Sequence, residues 1–282
     1  MTLCANFMLE NKKILITGSA GSVGSELYRQ LAPKNTVLGF DIDETGLYDL
    51  HEEYRQKGHN VFYMLGDVRS RQTLSDLFDY FLPDIIFHAA ALKHVSPNES
   101  YPMEAVKTNV EGTANIMLEA KRRSVPKLVY ISTDKVINSN SVMGVTKRLG
   151  ELMVRNAGYT AVRFGNVLGS RGSVIPIWQR QLEKGEPLTV TDERMERYFM
   201  SIEEACELVI EAADAEGGKV MVMDMGERVN VLKIAKEILG KAGKPDHPIK
   251  IIGVRPGETL YEDTMTPEEK LKAIKQGRFW VI

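Results

Sequence analysis

Cysteine is scarce in this 282-residue chain: there are two, Cys4 and Cys206, far apart and without metal-type spacing. That usage argues against a disulfide scaffold and predicts a reducing compartment, hence a cytoplasmic location. Long apolar runs are lacking too; none approaches the roughly 20 residues that cross a bilayer, so no membrane segment is expected. The start, MTLCANFMLENKK, has no basic stretch followed by an apolar core and does not read as a signal peptide. There is no basic excess: 36 Lys and Arg against 38 Asp and Glu leave a net charge of −2. Generic nucleic-acid binding is thereby disfavoured, since nothing neutralises phosphates in bulk. Clustered histidines, internal repeats, low-complexity tracts and Gly/Ser-rich linkers are also missing, so neither a metal site nor a loosely tethered array is expected.

What is present is a chain 43% hydrophobic, enough for a large core in one domain or two. Lys13 to Thr17 is a continuous apolar run that reads as a strand buried on both faces, and Thr36 to Phe40, Val61 to Leu65, Ile85 to His88, Lys127 to Ile131 and Thr160 to Phe164 read as further strands. Helical patterns lie between them, including a long one from Met103 to Arg123. Strict alternation predicts an α/β doubly wound parallel sheet of Rossmann type over residues 1–165. From Asn166 the pattern loosens, predicting a smaller, closely packed C-terminal substrate-binding part over 166–282 whose elements can interleave with the first.

The turn after the first strand reads Gly18, Ser19, Ala20, Gly21, Ser22, Val23, Gly24. Glycines at this spacing between strand and helix allow a tight turn, close approach to a pyrophosphate, and a helix N-terminus facing the anion. Asp41 ends the second strand about 20 residues on, where an acid takes the adenosine ribose hydroxyls. Its charge repels a 2′-phosphate, so NAD is favoured over NADP; Asp43 competes for the role. Asp67 and Val68 after the third strand fit either an adenine contact or a helix cap. Ala89, Ala90 and Ala91 let backbone lie close to the cofactor, or are simple small-residue packing.

The stretch STDKVINSNSVMGVTK, Ser132 to Lys147, carries the most chemistry. A strand delivers Ser132, Thr133, Asp134 and Lys135 together at its carboxyl end, where open α/β sheets bind ligands. Met143 and Lys147 follow, one helical turn apart. A tyrosine at 143 would make immediate chemical sense; a methionine does not.

TGSAGSVG, GDVRS, HAAALKHV, TNVEGT, STDK, MGVTK, VRFGNVLGSRGSVIP, RYFM and VRPGETLYE occur in order along nearly the whole chain. Together they resemble the extended short-chain dehydrogenase/reductases of polysaccharide biosynthesis, in particular the UDP-N-acetylglucosamine 4,6-dehydratases. Long members of that group carry an N-terminal membrane region, and this chain resembles a soluble short form. The resemblance implies oxidation of the sugar at carbon 4, loss of the carbon-5 proton and the carbon-6 hydroxyl, and reduction at carbon 6, with NAD as catalytic cofactor. It implies that Thr133 bonds the carbon-4 hydroxyl, Asp134 protonates the departing hydroxyl, Lys135 takes the carbon-5 proton, and Lys147 binds the nicotinamide ribose. Partial burial would favour the neutral forms of Asp134 and Lys135 that these roles need. Most relatives carry tyrosine where Met143 stands, so its proton-transfer role must move to Asp134, Lys135 or a water positioned by Thr133.

For the UDP-sugar substrate, the resemblance implies that Asn166 donates to the diphosphate and that Gly172, Ser173, Val174 and Ile175 let backbone approach the uracil. Arg197 and Arg255 can offer planar forks to phosphate, Glu258 can accept from the ribose, and Lys93 and His94 face the sugar. Two other readings stay open: a UDP-sugar 4-epimerase, and a non-catalytic nucleotide-binding protein favoured only by Met143. A homo-oligomer is expected; the apolar end, Phe279 to Ile282, fits a subunit contact or packing on its own domain.

Overall fold

The computed structural model describes residues 9–137 and 139–282; Cys4 and most of the opening segment lie outside them. Six parallel strands form the first part: β1 (Lys13–Thr17), β2 (Thr36–Asp41), β3 (Val61–Leu65), β4 (Ile85–His88), β5 (Lys127–Ile131) and β6 (Thr160–Arg163). They lie in the order β3-β2-β1-β4-β5-β6, so strand order reverses at β1 and β4, where a crevice opens at the strands' carboxyl ends. Ile14, Leu15 and Ile16 have no exposure, which explains the unbroken apolar run: each faces a helix layer on one side or the other. On one face Ile14, Val37, Phe87 and Val162 pack with Leu27 and Leu208; on the other Leu15, Leu38, Ile86 and Leu128 pack with Leu74 and Ile116.

The sheet does not stop at residue 165. Val220–Met223 pairs parallel with β6, Phe279–Val281 adds antiparallel to it, and Ile274–Gln276 closes a nine-stranded sheet among the described residues. The chain's end therefore packs on its own domain, with Phe279 buried. The rest of the C-terminal part has a small core of its own, built from Trp178, Leu188, Val190, Met195, Val231 and Leu239.

The segment expected as one helix from Met103 to Arg123 is interrupted. Helix Pro102–Ala105 passes into a π-turn over Val106–Gly112 before helix Thr113–Arg122 resumes. At this turn Asn109 is buried; it accepts from Leu92 N–H and donates to Leu92 O and Thr146 Oγ1. That bridge holds the backbone after β4 against helix Val142–Asn156.

Candidate active site

A cavity of about 680 Å³ runs along the strand ends, from the glycine turn after β1, past the ends of β4 and β5, to the C-terminal part. At the β1 end, Gly18 has φ +70°, and a Cβ there would lie 2.6 Å from Ala90 N and 2.8 Å from the Ala89 carbonyl carbon. Only glycine fits. Helix Ser22–Leu31 starts at Gly21 without a side-chain cap, leaving its first N–H groups toward the cavity, which Gly18, Gly21, Ser22, Val23, Gly24 and Ala89 line. These features fit the pyrophosphate of a dinucleotide. Asp41 accepts from Ala20 N–H at 2.9 Å and Asp43 N–H at 3.0 Å, which fixes its carboxylate beside the turn. Ser19 does not reach the cavity; it is fully buried against Gly39. Asp67 is engaged by Arg69 at 2.6 Å, Val68 is buried under Gly112, and the cap of the next helix is Ser70.

Below the turn, Thr17 Oγ1 meets His88 Nδ1 at 2.6 Å, and His88 Nε2 meets Thr113 Oγ1 at 3.0 Å. Thr113 already donates to Asn109 O, so it accepts from Nε2–H, and Nδ1 accepts from Thr17. His88 is a neutral link in this chain. Complete burial, assisted by the nearby Lys147 charge, pushes its pKa down to about 3.

The carboxyl end of β5 splits in two directions. Ser132 turns inward and donates to Glu151 at 2.6 Å. Glu151 also takes Arg163 at 2.6 Å and contacts Arg148; Arg163 reaches on to Glu269 at 2.8 Å and Thr264 O at 2.8 Å. Burial works against the Arg163 charge, but the two carboxylates more than offset it and hold its pKa above the usual value. Thr133 and Lys135 line the cavity, as does Ser132, whose hydroxyl is nevertheless spent on Glu151. Thr133 and Lys135 both donate to Asp134 Oδ1 at 2.9 Å, and Lys135 also donates to Asn166 Oδ1 at 3.0 Å. Asp134 itself is 0% exposed and does not line the cavity; its Oδ2 is buried against Gly165 with no hydrogen-bond partner.

Helix Val142–Asn156 brings Met143 and Lys147 to the same wall. Its close approach depends on Gly144, where a Cβ would lie 2.3 Å from Lys135 O. Met143 is almost fully buried. Lys147 donates to Ile131 O and lies 4.1 Å from the Tyr130 ring centroid; burial lowers its pKa to about 7, against an upward pull from Glu151.

The C-terminal part supplies the other wall through Asn166, Gly172, Ser173, Val174, Arg197, Arg255 and Glu258. Asn166 gives its oxygen to Lys135, leaving its amide nitrogen as the group able to face a diphosphate. Arg255 is exposed and available, with Glu258 beside it. Arg197 is already committed: it donates to Glu196 O and Leu260 O at 2.8 and 2.9 Å and to Thr259 O at 2.6 Å, so in this structure it is a strut under the Arg255–Glu262 segment before it is a phosphate fork. Lys93 donates to Arg171 O at 2.8 Å, and His94 sits against Gly172. Two cavity-edge groups have no counterpart among the residues singled out in the sequence. Arg171 hydrogen-bonds Ser22 through its backbone and pairs with Asp43 at 3.1 Å. Glu262, the last residue of VRPGETLYE, is 8% exposed and lines the cavity. Among the described residues no helix is long and apolar enough to cross a membrane.

A model of the polysaccharide biosynthesis protein family matches residues 14–282. The capsular polysaccharide biosynthesis protein CapD of Staphylococcus aureus is 42% identical over 277 residues, 93% of this chain and 46% of that protein. The UDP-glucose 4-epimerase of Rickettsia prowazekii is 33% identical over 293 residues, 98% of this chain and 84% of that protein. The chain thus spans about half the length of CapD. Among solved structures, Pen from Bacillus thuringiensis has a TM-score of 0.91 at 34% identity, covering 97% of this chain and 88% of that one. A dTDP-glucose 4,6-dehydratase from Bacillus anthracis in complex with NAD shares the fold, with a TM-score of 0.76 at 18% identity over 87% and 86% of the two chains.

Proposed function

Since the chain belongs to the polysaccharide biosynthesis family of extended short-chain dehydrogenase/reductases, we propose that it is a cytoplasmic, NAD-dependent 4,6-dehydratase of UDP-N-acetylglucosamine or a close UDP-sugar. The observation that carries this reading is Lys135: an amine at the cavity wall, beside Thr133, held by Asp134 and Asn166 in the cavity that the glycine turn also lines. An epimerase needs no base at carbon 5; a dehydratase does.

NAD, when bound at the Gly18–Gly24 turn, supplies oxidation at carbon 4 and reduction at carbon 6. The fixed Asp41 carboxylate favours the plain ribose of NAD over the 2′-phosphate of NADP. The protein's own residues do the rest. Thr133 orients the hydroxyl on carbon 4. Lys135 takes the proton on carbon 5 once the neighbouring carbon is a ketone. Asp134 holds Lys135 and Thr133 through one oxygen and is the acid for the departing hydroxyl. Lys147 and Met143 close the wall behind the nicotinamide ribose, while Arg255, Glu258 and the Asn166 amide face the UDP.

The test is to load the protein with NAD, add UDP-N-acetylglucosamine in deuterated water and follow the sugar by NMR. Loss of the 6-hydroxyl with deuterium at carbon 5 is expected. Lys135→Ala should abolish both changes. A 4-epimer without deuterium would instead favour the second reading, which the 33% identity to a UDP-glucose 4-epimerase over 98% of this chain supports. Absence of turnover with every UDP-sugar tried would overturn both.

A further inference from the structure

A hydride taken from carbon 4 must return to the same sugar, to carbon 6 in a dehydratase or to carbon 4 in an epimerase. The dinucleotide therefore has to stay bound, in both redox states, until the cycle ends. The glycine turn and the start of helix Ser22–Leu31 form only one side of its cradle. Residues 169–173 reach that cradle from the C-terminal part, and three bonds fasten them there. Arg171 N–H donates to Ser22 Oγ at 2.8 Å, Arg171 Nη1 to Asp43 Oδ2 at 3.1 Å, and Lys93 Nζ to Arg171 O at 2.8 Å. One residue thus joins the helix start that suits the pyrophosphate to the acid two places beyond Asp41, at the adenosine end.

The anchors are fixed. Asp43 caps helix Glu44–Gln56, accepting from Gly46 N–H at 3.0 Å through Oδ1, which leaves Oδ2 for Arg171. Its own N–H is held by Asp41 at 3.0 Å. Glycine sets the shape of the segment: Gly169 and Gly172 have φ +70° and +73°, and a Cβ on Gly172 would lie 2.8 Å from His94 Cε1. The fastening is nevertheless light. The side chains of Arg171 and Asp43 are 72% and 39% exposed, and an ion pair so placed is screened and easily parted, which leaves a way in for the cofactor.

The geometry points to residues 169–173 as a strap that keeps the dinucleotide bound between the two hydride steps, with Arg171 the positioning residue that fastens it. The inference rests on the reading of a catalytic dinucleotide, which the dehydratase and the epimerase share. Were the strap to open at the 4-keto stage, NADH would leave with the hydride. The sugar would stay oxidised at carbon 4, and the protein would be left without its oxidant.

The experiment loads wild type, Arg171→Ala, Arg171→Lys and Gly172→Ala with NADH, chases with excess NAD, and follows NADH fluorescence by stopped flow. Arg171→Ala should release NADH roughly 2- to 5-fold faster, the worth of an exposed ion pair. Arg171→Lys, which keeps the cation and the main-chain bond, should stay close to wild type. Gly172→Ala should release it roughly 5- to 30-fold faster, because the left-handed backbone at that position penalises a Cβ. Added salt should speed release from wild type more than from Arg171→Ala, which has no pair left to screen. With UDP-N-acetylglucosamine and no free cofactor, Arg171→Ala should stall with a 4-keto sugar released and resume when NAD is supplied. Release at the wild-type rate by both Arg171→Ala and Gly172→Ala would overturn the strap alone. Absence of NADH binding to wild type in an equilibrium titration would overturn the dinucleotide reading as well, so the two failures are distinct.

Discussion

Ser132 and Thr133 are neighbours on one strand end, yet they enter two different polar clusters. Behind the strand, Ser132, Glu151, Arg163, Arg148 and Glu269 form a closed network in which two acids meet two guanidinium groups. In front, Thr133, Asp134, Lys135, Asn166 and Glu262 are incompletely satisfied: Asp134 keeps an orphan oxygen, and Glu262 has the Thr259 hydroxyl but only a distant ion-pair partner. An unmade buried hydrogen bond costs roughly 1–3 kcal/mol, so an open cluster of this kind persists where a ligand completes it. The closed network looks like architecture and the open one like chemistry. Stability and turnover should therefore respond to opposite sets of substitutions.

The largest effect is expected behind the strand. Arg163→Leu leaves Glu151 and Glu269 with only the partly exposed Arg148 between them, at a cost of about 3–5 kcal/mol. Urea unfolding should show that loss as a lowered midpoint with an unchanged slope, while Glu262→Gln stays within about 1 kcal/mol of wild type. Arg163→Leu as stable as wild type would dissolve the distinction between the two clusters.

His88 gives the next test, because it is closed yet titratable. Its pKa is about 3 in the folded chain against 6.5 unfolded. Between these values the unfolded chain binds the extra proton, so stability is present above pH 6.5 and is lost as pH falls toward 3. The slope reaches about 1.4 kcal/mol per pH unit. In His88→Gln that part of the pH dependence should vanish, read as the wild-type-minus-variant difference in unfolding free energy at pH 7, 5.5 and 4.5. A difference that does not change with pH would show that His88 is not held neutral.

Much of this was legible in the sequence, and the boundary has physical causes. Strands β1, β2, β4, β5 and β6 are buried on both faces and read directly as apolar runs, whereas the edge strand β3 is fully buried only at Val61. Gly18, Thr133 and Lys135 come to the cavity because strand ends fix where side chains go, and Lys147 because its helix runs beside one. The π-turn at Val106–Gly112 was not legible, since one extra residue per turn barely disturbs a helical apolar pattern. Nor were the short strands Glu196–Arg197 and Phe279–Val281, too short to show a period of two. Arg197 and Glu262 show the harder limit. What an arginine binds, carbonyl or phosphate, and whether a glutamate is buried depend on how a segment some sixty residues later folds back.

The smallest effect sharpens the comparison most, because Met143 sits on the cavity wall yet should behave as architecture. Its thioether cannot carry a proton at useful pH, and it is about 2% exposed, packed where helix Val142–Asn156 meets the strand end. Leucine has nearly the same volume, so Met143→Leu should cost under about 1.5 kcal/mol and lower the elimination rate by less than about tenfold, under 1.4 kcal/mol of barrier. Lys135→Ala, a few ångströms of backbone away, should abolish the reaction. The paired result would mean that a helix which keeps Lys147 and the shape of the wall can do without a tyrosine, because proton traffic runs at the strand end. If Met143→Leu fell as far as Lys135→Ala while UDP affinity held, the thioether would be positioning the sugar or the nicotinamide ring, and the line between the open and closed clusters would have to be redrawn through the helix.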